Sequence, residues 1–316
     1  MTKWTVADIP SLGGRLAVVT GANSGIGWHT ALELARAGAQ VILASRTESK
    51  GSDAVDRIQK QLPHARVRLE ILDLASLRSV QSFAARIGGE AKLDLLVNNA
   101  GVMAVPKRQV TVDGFELQFG TNFLGPFALT MALLPALMRA QSPRVTTISS
   151  GAANMGLKKI NFGDLQWERS YGPWRAYCQS KLADLMFALE LGRRSASAGI
   201  PLVSNAAHPG YARTNLQTSG PERQKNLGDK ILEALMSHDA AHGALPTLRA
   251  ATGEDAVSGS YFAPDRVFQL KGDPVPVSIP KPAQNEAAAR QLWETAESLT
   301  GAAWHVAGSA SVGAGR

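Results

Sequence analysis

The stretch from Arg15 to Ala35 restricts the possible folds more than any other part of the chain. Arg15-Leu-Ala-Val-Val-Thr20 is a short apolar run of strand length, and it passes directly into Gly21-Ala-Asn-Ser-Gly25-Ile-Gly27. Ile26, Thr30, Leu32, Leu34 and Ala35 then follow at helical spacing. A buried strand, a glycine turn and a helix in that order open a parallel α/β sheet. They also make a phosphate site, because glycines admit a close backbone approach and a helix N-terminus offers unpaired N–H groups and a favourable dipole. The segment therefore predicts dinucleotide binding through Gly21, Asn23, Ser24, Gly25, Ile26 and Gly27.

The rest of the chain repeats the alternation. Gly38 closes the first helix, and Gln40 to Ala44 is a second strand. Its end selects the cofactor: an NAD site usually carries Asp or Glu there for the ribose 2′-hydroxyl, whereas this chain has Ser45 and Arg46, with Lys50 just beyond. No carboxylate repels a 2′-phosphate and a forked cation is at hand, so NADP(H) is expected; the plainer alternative makes Arg46 a solvated loop residue. A helix from about Ser49 stops before Pro63, and strand 66–72 ends at Asp73-Leu74, where Asp73 either caps the next turn or faces the adenine. Leu77 to Ile87 is helical, and Leu93 to Val97 is a strand running into Asn98-Asn99-Ala100-Gly101. A helical stretch over 114–140 carries Asn122 in apolar surroundings and a kink expected at Gly125-Pro126. Strand 144–149 ends in Ser150, and a polar and aromatic segment containing Met155, Trp174 and Tyr171 is read as a pocket wall. A helix to about Ala198, a strand over 202–206, a turn at His208-Pro209-Gly210 with Thr214, and a lid over 216–236 follow. Val257 to Phe262 is read as the last strand and Asn285 to Leu299 as the terminal helix. The expected fold is a single-domain, Rossmann-type doubly wound parallel sheet of about seven strands with helices on both faces. It spans 1–305, with a core over 13–263, an extension over 264–305 and a disordered tail over 306–316.

Tyr177 and Lys181 lie four apart in the helical segment that continues through Leu182, Leu185, Met186 and Leu189. Residues at that spacing share a helix face, and an adjacent cation favours the phenolate, so the Tyr177 pKa is expected to fall toward neutrality. Such a phenol can give a proton to a carbonyl oxygen or take one from an alcohol. By itself the pair also fits a packed ring beside a snorkelling amine.

Composition narrows the partners. The 316 residues include one cysteine, Cys178, so no intramolecular disulfide can form and a reducing, cytoplasmic setting is expected. No apolar run of signal-peptide or membrane-span length is seen, which leads to the expectation of no membrane partner. The formal net charge of +7 is scattered rather than striped, against nucleic-acid binding. His238 and His242 have the spacing of a helical zinc pair, but Asp239 stands where zinc proteases carry Glu and no third ligand is near, so no metal is expected.

Taken in order, Thr20-Gly-Ala-Asn-Ser-Gly-Ile-Gly27, Asn98-Asn-Ala-Gly101, Asn122, Ser150, Tyr177-x-x-x-Lys181 and Pro209-Gly210 with Thr214 resemble the short-chain dehydrogenase/reductase superfamily over roughly residues 13–263. Phe162-Gly-Asp-Leu-Gln166, Ala176-Tyr-Cys-Gln-Ser-Lys-Leu-Ala183, Leu292-Trp-Glu294 and Leu299-Thr-Gly301 are similar to its retinol dehydrogenase-like branch. The resemblance implies Tyr177 as general acid/base, Lys181 lowering its pKa and holding the nicotinamide ribose, Ser150 donating to the substrate oxygen, Asn122 holding a water that links Lys181 to solvent, and Thr214 with its turn contacting the carboxamide. It extends the cofactor set to Ser45, Arg46, Asp73, Leu74, Asn99, Ala100, Gly101, Tyr177, Lys181, Pro209, Gly210 and Thr214. Membrane-bound members of the branch carry an N-terminal anchor not matched here, which leaves retinal itself open as substrate. The 27-residue interval from Ser150 to Tyr177 is longer than in compact tetrameric members and is expected to hinder their usual assembly, leaving a monomer or homodimer. The expected activity is NADP(H)-dependent interconversion of an apolar ketone or aldehyde and its alcohol, with Met103, Met155, Trp174 and Tyr211 lining the pocket. A non-catalytic NADP(H) sensor and an NADPH-dependent carbon–carbon double-bond reductase are the alternatives.

Overall fold

The computed structural model describes residues 3–211 and 239–305. Among them are the strands β1 (Leu16–Thr20), β2 (Gln40–Ser45), β3 (Val67–Ile71), β4 (Leu95–Asn98), β5 (Arg144–Ile148), β6 (Val203–Ala207), β7 (Tyr261–Arg266) and β8 (Lys271–Pro276). The helices are α1 (Gly25–Arg36), α2 (Glu48–Gln61), α3 (Leu77–Gly88), α4 (Leu117–Phe119), α5 (Gly125–Leu137), α6 (Pro173–Ser197), α7 (Ala240–Thr252) and α8 (Glu286–Thr300). The strands form one sheet in the order β3-β2-β1-β4-β5-β6-β7-β8. Neighbours are parallel except β7 and β8. The chain winds outward from β1 to β3, then crosses to β4 on the other side of β1, and ligands of such sheets sit beyond the strand ends at this reversal.

The residues of β1, β2 and β4 are apolar in near-continuous runs because both sheet faces are covered there. Ala17 and Val19 pack with Trp28, Leu34, Ile58 and Leu248 from α1, α2 and α7. Leu16 and Val18 point the other way, into a second core with Phe83, Phe127, Leu185 and Trp293 from α3, α5, α6 and α8.

Three expectations change. The sheet has eight strands among the described residues rather than about seven: β8 is an antiparallel edge strand whose Pro274 and Pro276 hide it from strand patterning, and edges tolerate proline. The preceding strand begins at Tyr261 rather than Val257, because Val257 is 61 % exposed on a turn that Gly259 completes at φ +81°. The helix irregularity also moves. Instead of a kink at Gly125-Pro126, a π turn spans Gly120–Leu124, and Pro126 takes the first turn of α5, where a missing N–H does no harm.

The run Leu117–Leu137 is long and apolar enough to cross a membrane by length and composition, yet 83 % of it is buried inside the fold. It packs on α3 and the sheet as a core helix. The lid expected over 216–236 and the tail over 306–316 lie outside the described residues.

Candidate active site

Thr20 ends β1 and fastens the glycine loop to the end of β4. Its hydroxyl donates to Val97 O (3.3 Å) and accepts from the backbone amides of Asn99 (2.9 Å) and Ala100 (3.0 Å). The Asn99 amide returns to Thr20 O at 2.7 Å. Backbone therefore approaches backbone closely. A Cβ on Gly21 would lie 2.9 Å from Ala100 Cα, and one on Gly27 would lie 2.6 Å from Gly21 O. Gly21 and Gly25 also have φ of +65° and +58°, where a side chain is strained. Arg57 of α2 holds the loop from outside by donating to Asn23 O (2.7 Å) while its guanidinium lies 4.7 Å from the Trp28 ring. Ser24 is the N-cap of α1 but makes no capping hydrogen bond. The helix N-terminus thus opens onto a glycine-walled cradle suited to a diphosphate.

At the end of β2 the buried Ser45 donates to Thr47 O (3.2 Å), and Arg46 is exposed. Asp73 accepts from Ala75 N (3.0 Å), the capping alternative, and Leu74 is a core residue against which Gly125 packs. At the end of β6, His208 Nδ1 accepts from Gly210 N (3.0 Å) and so shapes the Pro209-Gly210 turn, with Gly210 at φ +72°. Thr214 and His238 lie outside the described residues. His242 N donates to Asp239, which caps α7.

The catalytic candidates converge at the ends of β4 and β5. Tyr177 is 6 % exposed, and the Ser150 hydroxyl is near enough to pull its phenol pKa down. Trp174 lies beside it, ring centroids 5.4 Å apart, and Met103 packs on the cluster of Ala152, Tyr177 and Cys178. Met155 is half exposed nearby in sequence, and Tyr211 is tied to Leu270 O at 2.8 Å. Lys181 Nζ donates to Ile148 O on β5 (2.9 Å) and to Asp184 Oδ2 (2.8 Å), in a pair almost wholly removed from water.

One expectation changes. Burial pushes the Tyr177 phenol up by more than the Lys181 ammonium and the Ser150 hydroxyl pull it down. The expected fall toward neutrality fails because sequence spacing reports the cation but neither the loss of water nor the Asp184 carboxylate, which raises the phenol further. Burial would lower Lys181 as well, but Asp184 and Tyr177 outweigh it and hold the ammonium up. Asn122 is likewise engaged: its Oδ1 accepts from Val102 N (2.7 Å) and its Nδ2 donates to Val102 O and Ser180 Oγ (both 2.9 Å). Its side chain braces the strand-end loop against α6.

Thr20, Asp184 and Glu116 are contributors that sequence reasoning passed over. Glu116 is fully buried and caps the helix carrying Asn122, accepting from Gln118 N (3.0 Å) and Phe119 N (2.7 Å). An acid just ahead of an apolar helix was the available signal.

Residues 15–225 match the family described as short chain dehydrogenase. Human retinol dehydrogenase 13 is 41 % identical over 303 residues, covering 93 % of this chain and 86 % of its own. Mouse polyprenol dehydrogenase is 37 % identical over 301 residues, with 93 % and 86 % covered. Among solved structures, an uncharacterised protein from Mycobacterium paratuberculosis superposes with TM-score 0.80 at 44 % identity, covering 96 % of this chain and 100 % of its own. A short chain dehydrogenase of Shigella flexneri in complex with NADP gives TM-score 0.61 at 25 % identity, with 79 % and 97 % covered. The ordered loop, strand-end and helix residues gathered around Tyr177 have the same family written across two thirds of the chain: it belongs to the short-chain dehydrogenases, in their retinol dehydrogenase-like branch.

Proposed function

We propose that the chain is an NADP(H)-dependent oxidoreductase that interconverts an apolar ketone or aldehyde and the corresponding alcohol. The observation that carries this reading is the buried Tyr177 phenol with the partly buried Ser150 hydroxyl acting on it, on the same side of the sheet as the glycine cradle and with Lys181 one helical turn away. Bound in that cradle, a reduced nicotinamide would supply hydride. Gly21, Asn23, Ser24, Gly25, Ile26 and Gly27 would hold the pyrophosphate, Asp73 and Leu74 the adenine side, and Asn99, Ala100, Gly101, Pro209 and Gly210 the nicotinamide side. Arg46, an exposed cation where an NAD site usually has a carboxylate, favours the 2′-phosphate of NADP(H).

Tyr177 donates its phenolic proton to the carbonyl oxygen as the hydride pair reaches the carbonyl carbon; the C=O π bond opens and an alcohol leaves. Ser150 donates to the same oxygen and stabilises its developing negative charge. Trp174, Met103 and Met155 give the substrate side an apolar lining. Relatives named for retinol and polyprenol support an apolar alcohol or carbonyl. The single cysteine is compatible with a cytoplasmic setting.

Tyr177→Phe keeps the ring against Trp174 and removes the proton. Turnover of NADPH with a panel of apolar carbonyls, including octanal and all-trans-retinal, is expected to fall by about 10²- to 10⁴-fold, while NADPH binding, followed by fluorescence, stays within about twofold. Undiminished turnover overturns the assignment.

A further inference from the structure

Asp184 sits one turn beyond Lys181 on α6, and no step above uses it. We propose that Asp184 is a positioning residue: it draws the Lys181 ammonium toward β5 and, through its own negative charge, keeps the Tyr177 phenol protonated at neutral pH, so that the site is set to give a proton to a carbonyl rather than to take one from an alcohol. This rests on Tyr177 being the acid/base proposed above.

The geometry is specific. Asp184 Oδ2 is 2.8 Å from Lys181 Nζ, the residue is 1 % exposed, and Oδ1 has no hydrogen-bond partner among the described residues. A carboxylate half satisfied in the interior is a poor way to stabilise a fold, since buried ion pairs are often matched or bettered by apolar residues. Consistent with that cost, burial pushes the Asp184 carboxyl up to about 6 despite the ammonium beside it. The charge count gives the consequence. With the phenol protonated, Tyr177, Lys181⁺ and Asp184⁻ are neutral together, and losing the phenolic proton leaves a net negative charge in a dry site. With Asn at 184 the same loss takes the site from one positive charge to none, which burial favours. The facing groups do not cancel this. Tyr261 on β7 is pushed up by burial, which outweighs the lowering by Ser149, the Cys178 thiol is pushed up to about 11 by burial, and His208, whose ring lies 6.4 Å from that of Tyr261, accepts at Nδ1 from a backbone amide.

The chain has four tyrosines, so tyrosinate absorbance can be titrated on the full chain without coenzyme or substrate, with Tyr177→Phe as the blank that assigns the signal. In Asp184→Asn the Tyr177 midpoint is expected to fall by about one pH unit or more, a tenfold change in proton affinity, whereas Asp184→Glu retains the wild-type midpoint. Asp184→Ser removes the same charge and gives the same reading should the amide variant fail to fold. The alkaline limb of octanal reduction by NADPH, and the rise of octan-1-ol oxidation by NADP, are expected to move to lower pH by the same amount. A midpoint that stays or rises in Asp184→Asn overturns the proposal even if octanal is turned over. A shifted midpoint in a chain that turns over no carbonyl instead overturns the reaction assigned to the site, and the directional half of this proposal with it.

Discussion

Arg46 stands exposed at the end of β2, and no hydrogen bond or ion pair to it is found among the described residues; its neighbour Ser45 is committed to Thr47 O. A guanidinium in that position has charge-assisted hydrogen bonds to offer a 2′-phosphate, each contributing about 1.5–3 kcal/mol. Arg46→Ala should therefore weaken NADPH binding by about 10- to 100-fold and leave NADH binding unchanged, as measured by calorimetric titration. Equal losses for the two coenzymes would mean that Arg46 reads something else. At this scale the sequence was most informative where spacing alone fixes a neighbour, as for Tyr177 and Lys181. It was silent on Asp184, because an acid three residues after a lysine on a helix usually reads as a solvated pair, and only burial between α6 and β5 gives it another meaning. The direction of the Tyr177 shift was hidden for the same reason: desolvation belongs to the packed molecule.

The helical run from Leu117 depends on an acid for its start. Glu116 receives two amides of the first turn while its own amide donates to Gln166 Oε1 (2.7 Å), so one residue ties α4 to the segment ahead of α6. Glu116→Ala should lower stability by about 1–2 kcal/mol, read from urea unfolding, because two amides lose their acceptor in a site with little water. A change below about 0.5 kcal/mol would show that the amides find other acceptors. The strands β1, β2 and β4 were legible because double-sided burial writes them as apolar runs ending at polar residues, and β3 because its apolar and polar residues alternate. Boundaries failed where another residue type intervened: Val257 looks like strand but sits on a turn, and the prolines of β8 look like loop but occupy an edge. The π turn at Gly120–Leu124 was not foreseeable from Pro126, since that proline sits where helices accept it.

Across the whole molecule, α8 closes the core on the side of the sheet that bears α5 and α6. The Trp293 ring lies 5.0 Å from Phe127 and 5.8 Å from Phe187, with the Arg194 guanidinium 4.4 Å from its centroid. Trp293→Ala should cost about 3–5 kcal/mol and lower the Tm, followed by calorimetry, while Tyr177 chemistry in the surviving folded fraction is retained. A loss under about 1 kcal/mol would mark α8 as peripheral to the core. The same arrangement orders events in time. During synthesis the aromatic rings of α5 and α6 emerge more than a hundred residues before Trp293 does, so the outer faces of those two helices lack their cover until residue 300 has left the ribosome.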